Sequence, residues 1–253
     1  MNETYAENLR QMEEWAYDIY KFCDDTMNMR PAEPVDELLG KPIHYTGPMG
    51  DKRTTILFDN EGRPVYHDLS FYTQDMFKLQ TKGGFKKYFG TRFTWQQTLA
   101  LEAYNRAVNT FEQDSYYEPS RWITIRSGHG VGKSAFLSVI SLHFLICFFG
   151  SQIAATANTD YQLKDILMKE IDIWKRKLPE WLSDNLDVLD ERVRIKGDKD
   201  WFLRSRVARK ENPEALAGVH GKYVLLEADE ASGIDDKIFE VIKGASTGSN
   251  YVV

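Results

Sequence analysis

Apolar residues recur every three or four positions at the start of the chain, at Tyr5, Leu9, Met12, Ala16, Ile19 and Cys23. That spacing predicts one helix with a single face packed on a core. Pro31 and Pro34 then interrupt the pattern, and the glycines and prolines from Gly40 to Pro64, with the turn signal Asp59-Asn60-Glu61-Gly62, predict short strands or an extended insertion. Residues 1–88 contain no repeat and no low-complexity tract, and are read as an N-terminal helix and extended appendage.

The pattern becomes more regular after Phe93. Thr94 is placed to cap a helix carrying Trp95, Leu99, Ala103 and Ala107, and Trp122 to Ile125 reads as a strand. The apolar stretch Ala135 to Gly150 predicts a helix, and Gln152 to Ala157 a second strand. Thr159-x-x-Gln162 has the spacing of a capping box, opening a helix with Leu163, Leu167, Ile171, Trp174 and Leu178 on one face. Val193 to Ile195 and Trp201 to Leu203 suggest shorter strands, and Tyr223 to Ala228 a longer one with Asp229 at its end. Alternating strands and helices predict an α/β domain over residues 89–253, with a mostly parallel twisted sheet flanked by helices.

Two segments carry candidate chemistry. Arg126-Ser127-Gly128-His129-Gly130-Val131-Gly132-Lys133-Ser134 lies between a predicted strand and a predicted helix, the context of a phosphate-binding P-loop. Its glycines permit a tight turn that aims backbone N–H groups at phosphates, Lys133 has the charge to reach the β- and γ-phosphates of ATP, and Ser134 offers a hydroxyl to Mg²⁺. Ser127 stands where the strict motif has its first glycine. The second segment is the apolar run Tyr223 to Ala228 followed by Asp229 and Glu230, which reads as a Walker B strand. Asp229 would join the Mg²⁺ shell and Glu230 would polarise the attacking water. The plainer readings are a Gly-rich turn and a solvated acidic turn.

With these segments the chain resembles the large terminase subunit of tailed bacteriophages. The resemblance rests on the 126–134 loop, Ala154-Ala-Thr-Ala-Asn158 with Tyr161-Gln162, Pro213-Glu-Ala-Leu-Ala-Gly218-Val-His220, and Ala228-Asp-Glu-Ala-Ser-Gly-Ile234 in that order. It implies a P-loop NTPase, the ATP-hydrolysing part of a motor that drives double-stranded DNA into a procapsid. It also implies a small terminase subunit and a portal as partners, a homo-oligomeric ring when active, and the cytoplasm of an infected bacterium as the setting. By resemblance Gln96 recognises adenine, with Gln97 the alternative, because a side-chain amide has both the donor and the acceptor an adenine edge needs. His129 departs from the arginine many terminases carry there, leaving Arg126 or a neighbouring subunit to supply transition-state charge. The family's coupling motif and nuclease domain would follow Val253, so this chain alone is expected neither to cut nor to package DNA.

Composition narrows the picture. At 253 residues, 42% hydrophobic and 28% charged, the chain can bury one substantial core. Its net charge of −6 means that any DNA contact uses local patches. Two basic stretches qualify: Lys78, Lys82, Lys86, Lys87 and Arg92, interleaved with aromatic residues, and Arg192, Arg194, Lys196, Arg204, Arg206, Arg209 and Lys210. Only Cys23 and Cys147 are present, which excludes a disulfide framework. The stretch 135–150 is too short and too often interrupted by Ser138, Ser141 and His143 to span a bilayer, so no membrane role is expected. Glu227 places a charge where the family usually has an aliphatic residue, and burying it unpaired would be costly. Two other functions share the nucleotide site: a helicase-like or repair DNA-dependent ATPase, and a nucleotide-gated assembly module with little turnover.

Overall fold

The computed structural model describes residues 3–29, 43–46, 52–55, 93, 95–112, 121–126, 132–207, 209, 216, 218–245 and 249–253. The chain divides into two compact units: residues 1–28, 99–126 and 132–253, and residues 29–98 with 127–131. In the second unit, β1 (Ile43–Thr46) and β2 (Lys52–Thr55) form an antiparallel pair, the short strands expected between Gly40 and Pro64.

The first unit opens with α1 (Glu3–Ala16) and α2 (Ile19–Met27), two helices where the apolar spacing predicted one. Asp18 causes the break. Its side chain accepts the Lys21 N–H at 3.0 Å, capping α2, while Asn105 Oδ1 accepts the Ile19 N–H. Asn28 ends α2 in the left-handed conformation, with φ 52°. Helix α3 (Trp95–Asn109) follows, and its buried face in this unit is Leu101, Tyr104, Ala107 and Val108, while Leu99 is exposed. The predicted face at 95, 99, 103 and 107 is therefore rotated, because steps of four residues drift by about 40° each on a helix of 3.6 residues per turn. Thr94 lies outside the described residues.

Six strands form one sheet in the order β4-β5-β6-β3-β7-β8, with β3 (Gln152–Thr156), β4 (Leu186–Leu189), β5 (Arg192–Ile195), β6 (Phe202–Ser205), β7 (Tyr223–Ala228) and β8 (Asn250–Val252). The sheet is mixed, with three of its five pairings parallel as predicted and two antiparallel. β6, β3, β7 and β8 are parallel, but β4 and β5 add an antiparallel arm. Strands of four residues joined by short turns return on themselves, whereas a parallel neighbour needs a crossover. The predicted strand at 122–125 keeps two ladder bonds to Val253, from Ile123 N–H to Val253 O (2.7 Å) and from Val253 N–H to Arg121 O (2.9 Å), without forming a regular strand.

Helix α4 (Lys133–Cys147) is the centre of the unit. It packs on β3, β6 and β7 on one side and on α1 and α2 on another, and Phe136 and every residue from Ser138 to Cys147 are buried. That explains its all-round apolarity without any membrane. No helix among the described residues is long and apolar enough to cross a bilayer. His143 of α4 is buried and ties three segments together: Nε2 donates to Trp15 O (2.7 Å) and Nδ1 accepts from the Tyr104 hydroxyl (2.8 Å). Burial pushes its pKa down to about 4, so the ring is neutral.

The capping box forms as predicted. Gln162 Oε1 accepts the Thr159 N–H (3.1 Å) and Thr159 Oγ1 accepts the Gln162 N–H (3.2 Å). The following helix starts with a π-helical stretch, Gln162–Met168, and continues as α5 (Lys169–Lys175), burying Leu163, Leu167, Ile171 and Trp174. After the short α6 (Glu180–Ser183), the opposite sheet face is covered by Leu216, Val219 and α7 (Asp236–Ala245), whose Ile238 and Ile242 pack with Ala154, Phe202, Val224 and Leu226.

Candidate functional site

The strands β3 and β7 run parallel, so their C-terminal ends lie side by side, and the candidate residues gather there. The ladder continues past β7, with the Asp229 N–H donating to Thr156 O at 2.9 Å. Asp229 is buried, and its carboxyl is raised above its ordinary value because burial and the neighbouring Glu230 charge disfavour ionisation, against the Glu230 N–H and Lys133. Asp229 Oδ1 accepts that N–H at 3.0 Å.

The chain then turns sharply. Glu230 adopts the left-handed conformation, with φ 51°, which costs about 1 kcal/mol for a residue with a Cβ. Two donors hold the turn: the Gly233 N–H and Asn158 Nδ2 both bond Glu230 O, at 3.1 and 3.2 Å. Glycine at 233 leaves room for the Asn158 amide, since a Cβ there would stand 2.3 Å from Asn158 Nδ2. Asn158 thereby links the end of β3 to the turn after β7. It was a motif residue without a role in the sequence, and only the turn geometry gives it one.

Facing this turn is the start of α4. Gly132 precedes it in the left-handed conformation (φ 82°) and no side chain caps the helix. Lys133, its first residue, places Nζ 3.8 Å from Glu230 Oε1, both side chains being partly exposed. Ser134 follows in the first turn and its carbonyl accepts the Ser138 hydroxyl at 2.8 Å. The structure thus brings Lys133, Asp229 and Glu230 together, with Ser134 next to Lys133. Arg126 is exposed at the end of the 121–126 segment. Ser127, Gly128, His129, Gly130 and Val131 lie outside the described residues, as do the Gln96 side chain and the basic stretch from Lys78 to Arg92.

Glu227, the odd charge of β7, is buried against α4 with the single Ser141 hydroxyl 2.8 and 2.9 Å from its two oxygens. Burial pushes its carboxyl up to about 8, the Asp229 charge adds to the rise, and the Ser141 bond opposes it. Glu227 is therefore a neutral acid at neutral pH, which resolves the cost of a charge in this strand.

The donor set suits a hard divalent cation bound with phosphate. Among the described residues no group of three or more His, Cys, Asp or Glu could hold a metal by itself. One carboxylate and one hydroxyl beside an uncapped helix N-terminus leave the remaining positions to phosphate oxygens and water, the usual arrangement for Mg²⁺.

Over 166 residues, 64% of its length, the chain is 34% identical to a protein of Enterobacteria phage P7 described as "Probable terminase, large subunit". Over that stretch the chain is similar to a probable phage terminase large subunit. The shared part makes up 31% of that phage protein. No family model matches the chain. The resemblance drawn from the 126–134 loop, Ala154–Asn158 with Tyr161-Gln162, Pro213–His220 and Ala228–Ile234 agrees with this similarity to a terminase protein.

Proposed function

We propose that this chain carries the ATP-hydrolysing P-loop unit of a DNA-packaging motor. The observation that carries the reading is the approach of Lys133 to Glu230 beside the buried Asp229, where the start of α4 meets the end of β7. The Lys133 ammonium lies near the Glu230 carboxylate. A bound triphosphate offers it a stronger, more highly charged partner, and Glu230 is then released to accept a hydrogen bond from the attacking water. The loop from Ser127 to Gly132 contributes backbone N–H groups to the phosphates, and Gln96 hydrogen-bonds the adenine edge. Arg126 meets charge developing on the transferred phosphoryl group. Ser134 and Asp229 would hold Mg²⁺, which would supply charge that neutralises the phosphates. In this reading the motor moves double-stranded DNA into a procapsid through a portal, as a homo-oligomeric ring with a small terminase subunit, in the cytoplasm of an infected bacterium.

Two variants test the chemistry on the folded chain. Lys133→Ala is expected to lose ATP binding, while Glu230→Gln is expected to bind Mg²⁺-ATP normally and hydrolyse it on the order of a hundredfold or more slowly. Equilibrium binding of a fluorescent ATP analogue and phosphate release with and without duplex DNA separate the two effects. Unchanged binding in Lys133→Ala removes the phosphate-loop reading, and unchanged turnover in Glu230→Gln moves the water-activating role to another residue.

A further inference from the structure

The antiparallel arm carries a second concentration of charge that the nucleotide site does not use. Arg192 of β5 and Arg204 of β6 are register partners, so their side chains share one face of the sheet. Both guanidinium groups lie against the Phe202 ring, 4.4 and 5.0 Å from its centroid. Arg206 continues that alternation past the end of β6, held in line by its N–H bond to Ala155 O at 2.9 Å.

The carboxylates do not neutralise this row. Asp187 pairs with Arg194 (3.1 Å) and Lys196 (3.8 Å), and Glu191 pairs with Lys164 (2.6 Å) and also lies within electrostatic reach of Arg206. Among the described residues no acidic group forms an ion pair with Arg192, Arg204 or Arg206. Arg192 gives one N–H to Lys199 O, but its buried Nε has no partner. Partial burial and the charges of Arg206 and Arg192 shift Arg204 below its ordinary value. Three like charges gathered in a chain whose net charge is −6 raise the energy of the fold unless an anion meets them.

We propose that the β5–β6 face carrying Arg192, Arg204 and Arg206 is a docking surface for the phosphate backbone of double-stranded DNA. A row of guanidinium groups along adjacent strands matches a repeating anion better than a single phosphate, and it reads no base edges, as a sequence-independent contact requires. Stacking on Phe202 fixes two of the forks in advance, lowering the entropy lost on binding. The proposal rests on the DNA-handling part of the function above and is independent of the ATP site.

The test is fluorescence-anisotropy titration of the full chain with a labelled mixed-sequence duplex over a range of salt concentrations. Arg204→Gln and Arg206→Gln are each expected to lower the slope of log K against log salt by about 0.9 and to weaken binding on the order of tenfold in moderate salt. Arg206 is exposed, so its variant keeps the test valid if the stacked Arg204 variant misfolds. Neutralising Lys169, Lys175 and Arg176, on α5 and just past its end, removes three charges elsewhere and is expected to leave the slope unchanged. Unaltered slopes in both arm variants, equal loss in the α5 variant, or no duplex binding by the parent chain each overturn the proposal. Lys133→Ala is expected to abolish ATP binding and retain DNA binding, and ATP binding by the arm variants is expected to remain normal, so failure of the arm and failure of the ATP reading are distinct results.

Discussion

Replacing Glu227 with glutamine isolates the one buried acid on the strand that leads to the candidate site. In the native protein the carboxyl is held at about 8 instead of the ordinary 4.5, chiefly by burial. The folded state keeps a proton that the unfolded chain releases, so stability from this group is full below pH 4.5 and declines as pH rises through 8. Between those limits the slope is about 1.4 kcal/mol per pH unit. Glutamine has nearly the same shape, can still bond Ser141, and does not titrate. From about pH 5 to about pH 7 the variant should therefore gain about 3 kcal/mol relative to the parent, equivalent to roughly 6–12 °C in Tm for a chain of this size. Other titrating groups largely cancel in the difference between the two proteins. Thermal and urea denaturation of both across that pH range provide the measurement. Ser141→Ala removes the bond that opposes the shift and should extend the decline to higher pH. Parallel stability curves for parent and Glu227→Gln would refute the reasoning, because they would mean that Glu227 enters the fold ionised.

Gly233→Ala should destabilise the turn by about 1–3 kcal/mol and slow ATP hydrolysis, since a Cβ would stand 2.3 Å from Asn158 Nδ2. Adding Asn158→Ala removes the obstructing amide, and a double-mutant cycle showing strictly additive costs would contradict this contact. Gln96→Ala should reduce the preference for ATP over GTP more than it reduces triphosphate binding, because the phosphate loop is untouched. Competition binding with the same preference in both proteins would reassign base recognition to Gln97 or to backbone groups.

Local rules in the sequence determined several elements completely. The Thr159–Gln162 box and the face Leu163, Leu167, Ile171 and Trp174 are set by spacing along one helix, and both appear in the structure. Strand β7 is the predicted run Tyr223–Ala228, because five apolar residues interrupted only by Glu227 and followed by carboxylates suit a central strand that ends at an edge. Lys133, Asp229 and Glu230 each stood out from their own segments. Only the tertiary structure decided what lies between segments. It paired β5 and β6 antiparallel, rotated the buried face of α3 to Leu101 and Tyr104, and brought Lys133 Nζ within 3.8 Å of Glu230 Oε1. It also gave Glu227 its partner on α4 and gave Asn158 its place in the Glu230 turn. Periodicity records which side of an element is apolar, whereas register, the direction of a neighbouring strand and the ionisation of a buried acid depend on groups distant along the chain.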